Sequence, residues 1–309
     1  MASTINSAFD VLSGLTVDEM LANPAFLPEI MKQAINGEEV QRLFFRTITV
    51  NSNVIAYKEA APAYLEDDLQ NVAEYGEIPV SDPSGDEWQT VMLEKGGIGI
   101  RVSWEQRQDD NGDAVQREMI SRTNTILRSE AKAGLAAIAK APISTHQAAV
   151  AWDQAGAKPA SDILDTIELI QGAEDAEGHY YEYEPSVLWI HPTTLSMLKR
   201  NDEVQKLYIG DMAHANPLFN GVADEPQLFG NIQVAKSFFV PKGEAYLSIE
   251  GVGFMGEREP RQITDFYAER GDSDLGGANM SWRSDVSHRR GYAVDNPKGI
   301  IKLTGLVTP

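Results

Sequence analysis

Leu93-Glu94-Lys95-Gly96-Gly97-Ile98-Gly99-Ile100-Arg101-Val102-Ser103-Trp104-Glu105 decides how the rest of the chain is read. Ile98, Ile100, Val102 and Trp104 alternate with Gly99, Arg101 and Ser103, the period of two that marks a half-buried strand. A few residues on, the period changes. Asp109-Asp110-Asn111-Gly112-Asp113 offers an N-cap and acids suited to the positive end of a helix dipole. From Ala114 to about Lys140 no proline intervenes, and Pro142 closes the run. At 1.5 Å per residue this predicts a helix roughly 40 Å long. Val115, Met119, Ile126, Leu127, Leu135 and Ile138 share its apolar face, and Arg117, Glu118, Arg122, Arg128 and Glu130 are expected mostly off it. A single helix of this length in a mixed chain acts as a spine.

Working back from that strand, Val54-Ile55-Ala56-Tyr57-Lys58-Glu59 is a second strand candidate, and Glu66 to Thr90 between them is polar and acidic. Two strands separated by roughly thirty polar residues form an excursion longer than a compact domain uses, and such loops are usually functional or disordered. Residues 1–50 read as an arm carrying short helices. Thr16 caps Val17–Leu21 with Glu19 completing a capping box, and Pro28 opens a helix through Ala34. Helices this short need something to lie against.

Working forward, residues 148–259 read as an α/β unit. Its elements are a helix over Ser161–Ala176, a buried strand at Val187-Leu188-Trp189-Ile190, and a helix over Pro192–Lys199 starting at Thr193. Further strands are expected at Ile232–Ala235 and Ala245–Ile249. The stretch from Gln262 to Leu306 returns to β structure, with a basic cluster at Arg283, His288, Arg289 and Arg290 and a last strand at Ile300–Leu303. No internal repeat is visible. The fold class is α+β.

Composition narrows the function. The chain has 309 residues, 42% hydrophobic and 23% charged, which suits a folded protein with a sizeable core. Its net charge of −20 argues against phosphate binding, which needs clustered Lys and Arg. The first hundred residues hold five basic and sixteen acidic groups, 5 − 16 = −11. There is no cysteine, which rules out disulfides, thiolate metal sites and a Cys nucleophile. Neither a secretory signal nor a membrane-spanning apolar run is present, so no membrane partner is expected.

The motifs that mimic chemistry read better as structure. Gly251-Val252-Gly253-Phe254-Met255-Gly256 fits a dinucleotide fingerprint, but Pro260 stops the helix that would hold a pyrophosphate. Asp109, Asn111 and Asp113 open like a calcium loop, yet Ala114 stands at the glycine position and Ile120 at the bidentate glutamate. His146, His179, His191, His214 and His288 form no zinc spacing, and His191 is expected to help end its strand. Gly271-Asp272-Ser273-Asp274-Leu275 lacks the second glycine of a nucleophile elbow, and Glu66, Asp67 and Asp68 read as a solvated acidic face. No catalytic, metal or cofactor site is expected, and the chain is not read as an enzyme.

The order of parts resembles the major capsid proteins of tailed bacteriophages, the Hong Kong 97-type capsid fold. Ala73-Glu74-Tyr75-Gly76-Glu77-Ile78-Pro79 is similar to that family's extended E-loop, and Leu93 to Glu105 to its returning strand. Asp109–Lys140 resembles the spine helix. Leu188-Trp189-Ile190-His191-Pro192-Thr193-Thr194 with Leu198-Lys199 is similar to the axial domain. Trp282-Arg283-Ser284-Asp285, Arg289-Arg290-Gly291-Tyr292 and Asn296-Pro297-Lys298-Gly299 match the end of the peripheral domain and the closing strand. The resemblance covers roughly residues 50–309.

It implies an N-terminal arm at 1–53 and an E-loop at 54–104. A peripheral domain would take 105–147 and 260–293, and an axial domain 148–259 and 294–309. It implies hexamers and pentamers of the chain itself in an icosahedral head around double-stranded DNA, with scaffolding protein, portal and a possible decoration protein as partners. The DNA would be touched weakly and without sequence preference. Assembly would take place in the cytoplasm of the bacterial host, and the product would be a virion component. An encapsulin-like compartment around cargo enzymes is the alternative. Because the E-loop starts near residue 54, no internal scaffolding segment is expected. Because no lysine stands between Lys58 and Lys95, a covalent lysine weld is not expected either. Inter-subunit contacts are expected between Glu74, Glu77, Asp82, Asp86 and Glu87 at the loop tip and Arg117, Arg122, Arg128, Arg283, Arg289 and Arg290 of a neighbour.

Overall fold

The spine helix begins where the chain can cap it. In the computed structural model, helix α4 spans Gly112–Lys140, and the Asn111 side chain accepts from the Ala114 N–H at 3.2 Å. It ends at Ala141, whose backbone is already extended ahead of Pro142. The structure describes residues 9–308 apart from 13, 24, 36–39, 63, 65–68, 82–87, 176–177, 202–203, 205–226, 229–231 and 272–275. Val115, Met119, Ile126, Leu127 and Ile138 are buried as expected, but so are Arg122 and Glu130. The face turned to the core is therefore wider and more polar than the periodicity suggested.

Two further helices, α1 (Val17–Ala22) and α2 (Phe26–Ile35), lie ahead of the first strands. The Thr16–Glu19 capping box forms as predicted, and Asp110 accepts from the Val17 N–H at 2.7 Å, so one of the acids expected to serve α4 caps α1 instead. Phe9, Leu12, Val17, Met20, Leu27, Met31 and Ile35 are buried against Val115, Met119 and Ile126 of α4. The short helices thus lie against the spine, and from Phe9 onward the segment supplies more of the buried residues of this core than the spine does.

A five-stranded sheet covers the other side of that core. Strands β1 (Phe45–Thr49) and β10 (Gly253–Ile263) run parallel, β10 pairs antiparallel with β12 (Ser281–Val294), and β12 also holds β4 (Glu94–Ser103) and the short β11 (Tyr267–Ala268). Ile98, Ile100 and Val102 of β4 face the core, as alternation predicted. Trp104 does not continue the strand. Ser103 accepts from the Gln106 N–H and Gln106 returns to the Ser103 N–H, a capping box that opens the short helix α3 (Trp104–Gln108). The Gly251–Gly256 motif leads into β10 and not into a helix.

The second sheet has six strands in the order β5 (Ser144–Gln147), β13 (Ile300–Thr304), β9 (Ala245–Ser248), β6 (Val187–Ile190), β8 (Ile232–Lys236) and β7 (Gln227–Leu228). All four residues of β6 are buried, Leu188 and Ile190 in a core to which α5 (Pro159–Gln171) and α6 (Pro192–Arg200) contribute. His191 caps α6, its Nδ1 accepting from the Thr193 N–H at 3.1 Å. Two boundaries differ from the expected partition. Ser144–Gln147, placed with the peripheral unit, pairs with the closing strand in this sheet, and Gly253–Gly256, placed with the axial unit, begins β10 of the other. The sheets share a third core of Phe44, Phe45, Ile138, Trp189, Tyr246 and Ile300.

Candidate assembly surface

Strands β2 (Val54–Lys58) and β3 (Trp88–Met92) pair antiparallel, Val54 opposite Met92 and Lys58 opposite Trp88. The root of this ribbon crosses the five-stranded sheet where Gly256 faces Gly291. A Cβ on Gly256 would lie 2.2 Å from Ile55 Cδ1, and one on Gly291 2.7 Å from Leu93 Cδ2. Only glycine lets the ribbon come this close. The Tyr57 ring then meets Phe254 edge-on at 5.1 Å. Ile55, Tyr57 and Val91 are half-buried on the inner face, above a groove of about 950 Å³ that β12 and the spine helix complete.

On the outer face, among the described residues, the Lys58 ammonium lies 5.4 Å from the Trp88 ring centroid and the apolar side chains stay largely open. Val54, Trp88 and Met92 are 44%, 67% and 70% exposed. Farther out, Leu69, Tyr75 and Val80 are almost fully exposed and Ile78 is 77% exposed. The acidic character of the excursion masks these apolar side chains in the sequence, where their recurrence within a polar stretch is the available signal. Among the acids expected at the tip, Glu74 and Glu77 are exposed, whereas Asp82, Asp86 and Glu87 lie outside the described residues.

The six expected arginines divide into two groups. Arg117 and Arg128 are exposed, and Arg283 and Arg289 are partly exposed beside Asp285 and Glu259. Arg122 is 2% exposed, donating to the Ser284 carbonyl at 2.8 Å and to its hydroxyl at 3.2 Å, and burial lowers its pKa to about 10. Arg290 is buried between Glu130 at 2.7 Å and Glu257 at 2.6 Å. The same Glu130 receives Arg261 at 2.6 Å and the Gln41 amide at 3.0 Å. Nothing in their positions in the sequence separates these two arginines from the other four. Their partners stand far away in the chain.

Among the described residues no cluster of three His, Asp or Glu side chains could hold a metal, and no helix is long and apolar enough to cross a membrane. The Gly271–Leu275 stretch, apart from Gly271, and the Glu66–Asp68 acids lie outside the described residues.

No curated protein sequence matches the chain. Solved structures do. The capsid of the native GTA particle, computed with C5 symmetry, matches with a TM-score of 0.59 at 14% identity, over 87% of this chain and 90% of that one. A Mycobacterium phage Bobi chain matches with a TM-score of 0.56 at 13% identity, over 87% and 90%. The virus-like particle from Pyrococcus furiosus matches with a TM-score of 0.56 at 11% identity, over 88% and 95%. These likenesses establish the Hong Kong 97-type architecture. The family model described as phage capsid protein matches residues 86–303, which run from the returning edge of the excursion through the spine and both sheets to the closing strand, and the chain belongs to that family.

Proposed function

We propose that this major capsid protein builds the icosahedral head around the double-stranded DNA of a tailed phage, and that its excursion over residues 54–104 binds across a neighbouring copy. The observation that carries the reading is the run of exposed apolar side chains at Val54, Leu69, Tyr75, Ile78, Val80, Trp88 and Met92, on an element whose ribbon packs on the five-stranded sheet at its glycine root. Contiguous exposed apolar surface marks an interaction site.

Magnitudes decide what holds the contact. Each apolar side chain covered on assembly contributes about 1.5–3 kcal/mol, whereas an exposed ion pair contributes at most about 1 kcal/mol and is screened by salt. The apolar residues therefore carry affinity. Glu74 and Glu77, with Arg117, Arg128, Arg283 and Arg289 as candidate partners, set register. Arg122 and Arg290 are occupied inside their own subunit and fall out of this proposal. The five-stranded sheet with the spine serves as the peripheral unit and the six-stranded sheet as the axial unit.

A separate scaffolding protein, a portal and a decoration protein are proposed partners, with assembly in the host cytoplasm and only weak contact with packaged DNA, in keeping with the charge of −20. Co-expression with the scaffold is expected to give megadalton particles with hexamers and pentamers in micrographs. Boiled in detergent they should release one 33.9 kDa band, since no lysine between Lys58 and Lys95 is there to weld subunits. A monomer persisting at high concentration with scaffold present would refute the shell, and a ladder of linked bands would refute non-covalent closure.

A further inference from the structure

The excursion is held at a second place besides its glycine root. The Ala60 N–H donates to the Asp295 carbonyl at 2.7 Å, in the turn that joins β12 of one sheet to β13 of the other. Asp295 is 7% exposed, and its carboxylate also takes the Arg46 guanidinium and, at 3.1 Å, the Asn296 amide. Four residues after Ala60, the Tyr64 ring stacks on His179 with centroids 5.0 Å apart and planes 28° from parallel. The Tyr64 hydroxyl donates to Glu182 Oε1 at 3.1 Å. The loop that receives it is braced. The His179 N–H donates to Asp175 Oδ1 at 2.8 Å, its ring nitrogen lies 3.3 Å from Asp175 Oδ2, and Tyr181 stacks on Tyr183, whose hydroxyl donates to Asn296 Oδ1 at 3.0 Å. Glu182 holds a φ of 54°, an uncommon backbone state for a residue with a side chain, at the residue that receives Tyr64.

We propose that Tyr64, His179 and Glu182 form a clamp that positions the excursion, fixing the direction in which it leaves the body. The Tyr64–Glu182 hydrogen bond joins exposed groups and Tyr64 is 46% exposed, so the clamp can open without unfolding either sheet. The glycine root sets where the ribbon crosses the sheet, and the clamp sets where the chain beyond Lys58 points. The consequence for assembly rests on the shell reading above. The clamp itself does not.

Hydrogen exchange at the Ala60 amide of the isolated subunit reads the clamp directly. Tyr64→Ala is expected to speed that exchange roughly two- to tenfold, the scale of one lost aromatic pair, with the melting temperature unchanged. Tyr64→Phe, which keeps the stack and loses the hydroxyl, should fall between. Equal exchange at Ala60 in wild type and Tyr64→Ala would overturn the clamp. For assembly, the absence of native cysteine allows Tyr64→Cys with His179→Cys to be bridged by a short bis-maleimide. The unbridged double variant should assemble more slowly than wild type, and bridging should restore the rate. A bridge that restores nothing would overturn the positioning role, whereas a wild-type protein that never forms shells would defeat the shell reading and leave the exchange result to decide the clamp.

Discussion

At the residue scale, the spine helix holds charge where periodicity predicted a solvent face. Glu130 is buried with two arginines and a glutamine amide on its carboxylate, and Arg290 reaches on to Glu257. Leaving one member of such a cluster unpaired costs about 3–5 kcal/mol, so the group works only complete. His288 stands beside it. Burial, with Arg290 and Arg261 nearby, lowers its pKa to about 4, against 6.5 for a free imidazole. The folded chain therefore holds His288 neutral while the unfolded chain takes up a proton below 6.5. Stability due to this residue is complete above 6.5 and is lost as pH falls toward 4. His288→Gln should flatten the decline of melting temperature over that window relative to wild type. Parallel curves for the two proteins between pH 6.5 and 4 would show that the imidazole does not titrate on unfolding.

At the element scale, the short N-terminal helices matter more than their length suggests. Met31 is wholly buried on α2 against the spine, in the same core as Val115 and Met119. Met31→Asp would place an unpaired carboxylate there at a cost of several kcal/mol, and insoluble or unfolded protein is the expected result. Leu135 was expected on the apolar face of the spine. It is only half-buried and packs with the third cluster between the sheets, so Leu135→Asp should fold with a lowered melting temperature. A soluble Met31→Asp with wild-type melting would mean that the N-terminal helices are an appendage after all. The exchange test of the Tyr64 clamp belongs to this scale too, since it asks how one element is aimed by another.

At the scale of the whole molecule, the two kinds of contact proposed for the excursion can be separated by salt. Ile78→Ser, Trp88→Ser and Met92→Ser together remove three exposed apolar side chains and leave the core untouched. The triple variant should fold with unchanged melting and fail to assemble at any ionic strength. Glu74→Lys with Glu77→Lys should slow assembly at low salt and much less at high salt, where screening already weakens the pairs. Light scattering of assembly against salt concentration distinguishes them. Wild-type assembly by the triple serine variant would mean that the shell is closed by other surfaces.

Much of this fold was legible because its signals are local. The spine helix, the alternation of Ile98, Ile100 and Val102, the Thr16–Glu19 box and the buried Val187–Ile190 strand each depend on residues within a turn or a strand of one another. The order of those elements carried the family reading, and the family match over residues 86–303 agrees with it. The surface proposed for assembly was only half legible. Its polar length showed in the sequence, but its exposed apolar side chains could equally have belonged to a core, since hydrophobicity does not tell which face a partner covers. The fates of Arg122 and Arg290 were decided by Ser284 and Glu130, 162 and 160 residues away along the chain. A charged side chain is buried only when a distant group satisfies it, and that pairing exists only once the sheets have closed over the spine.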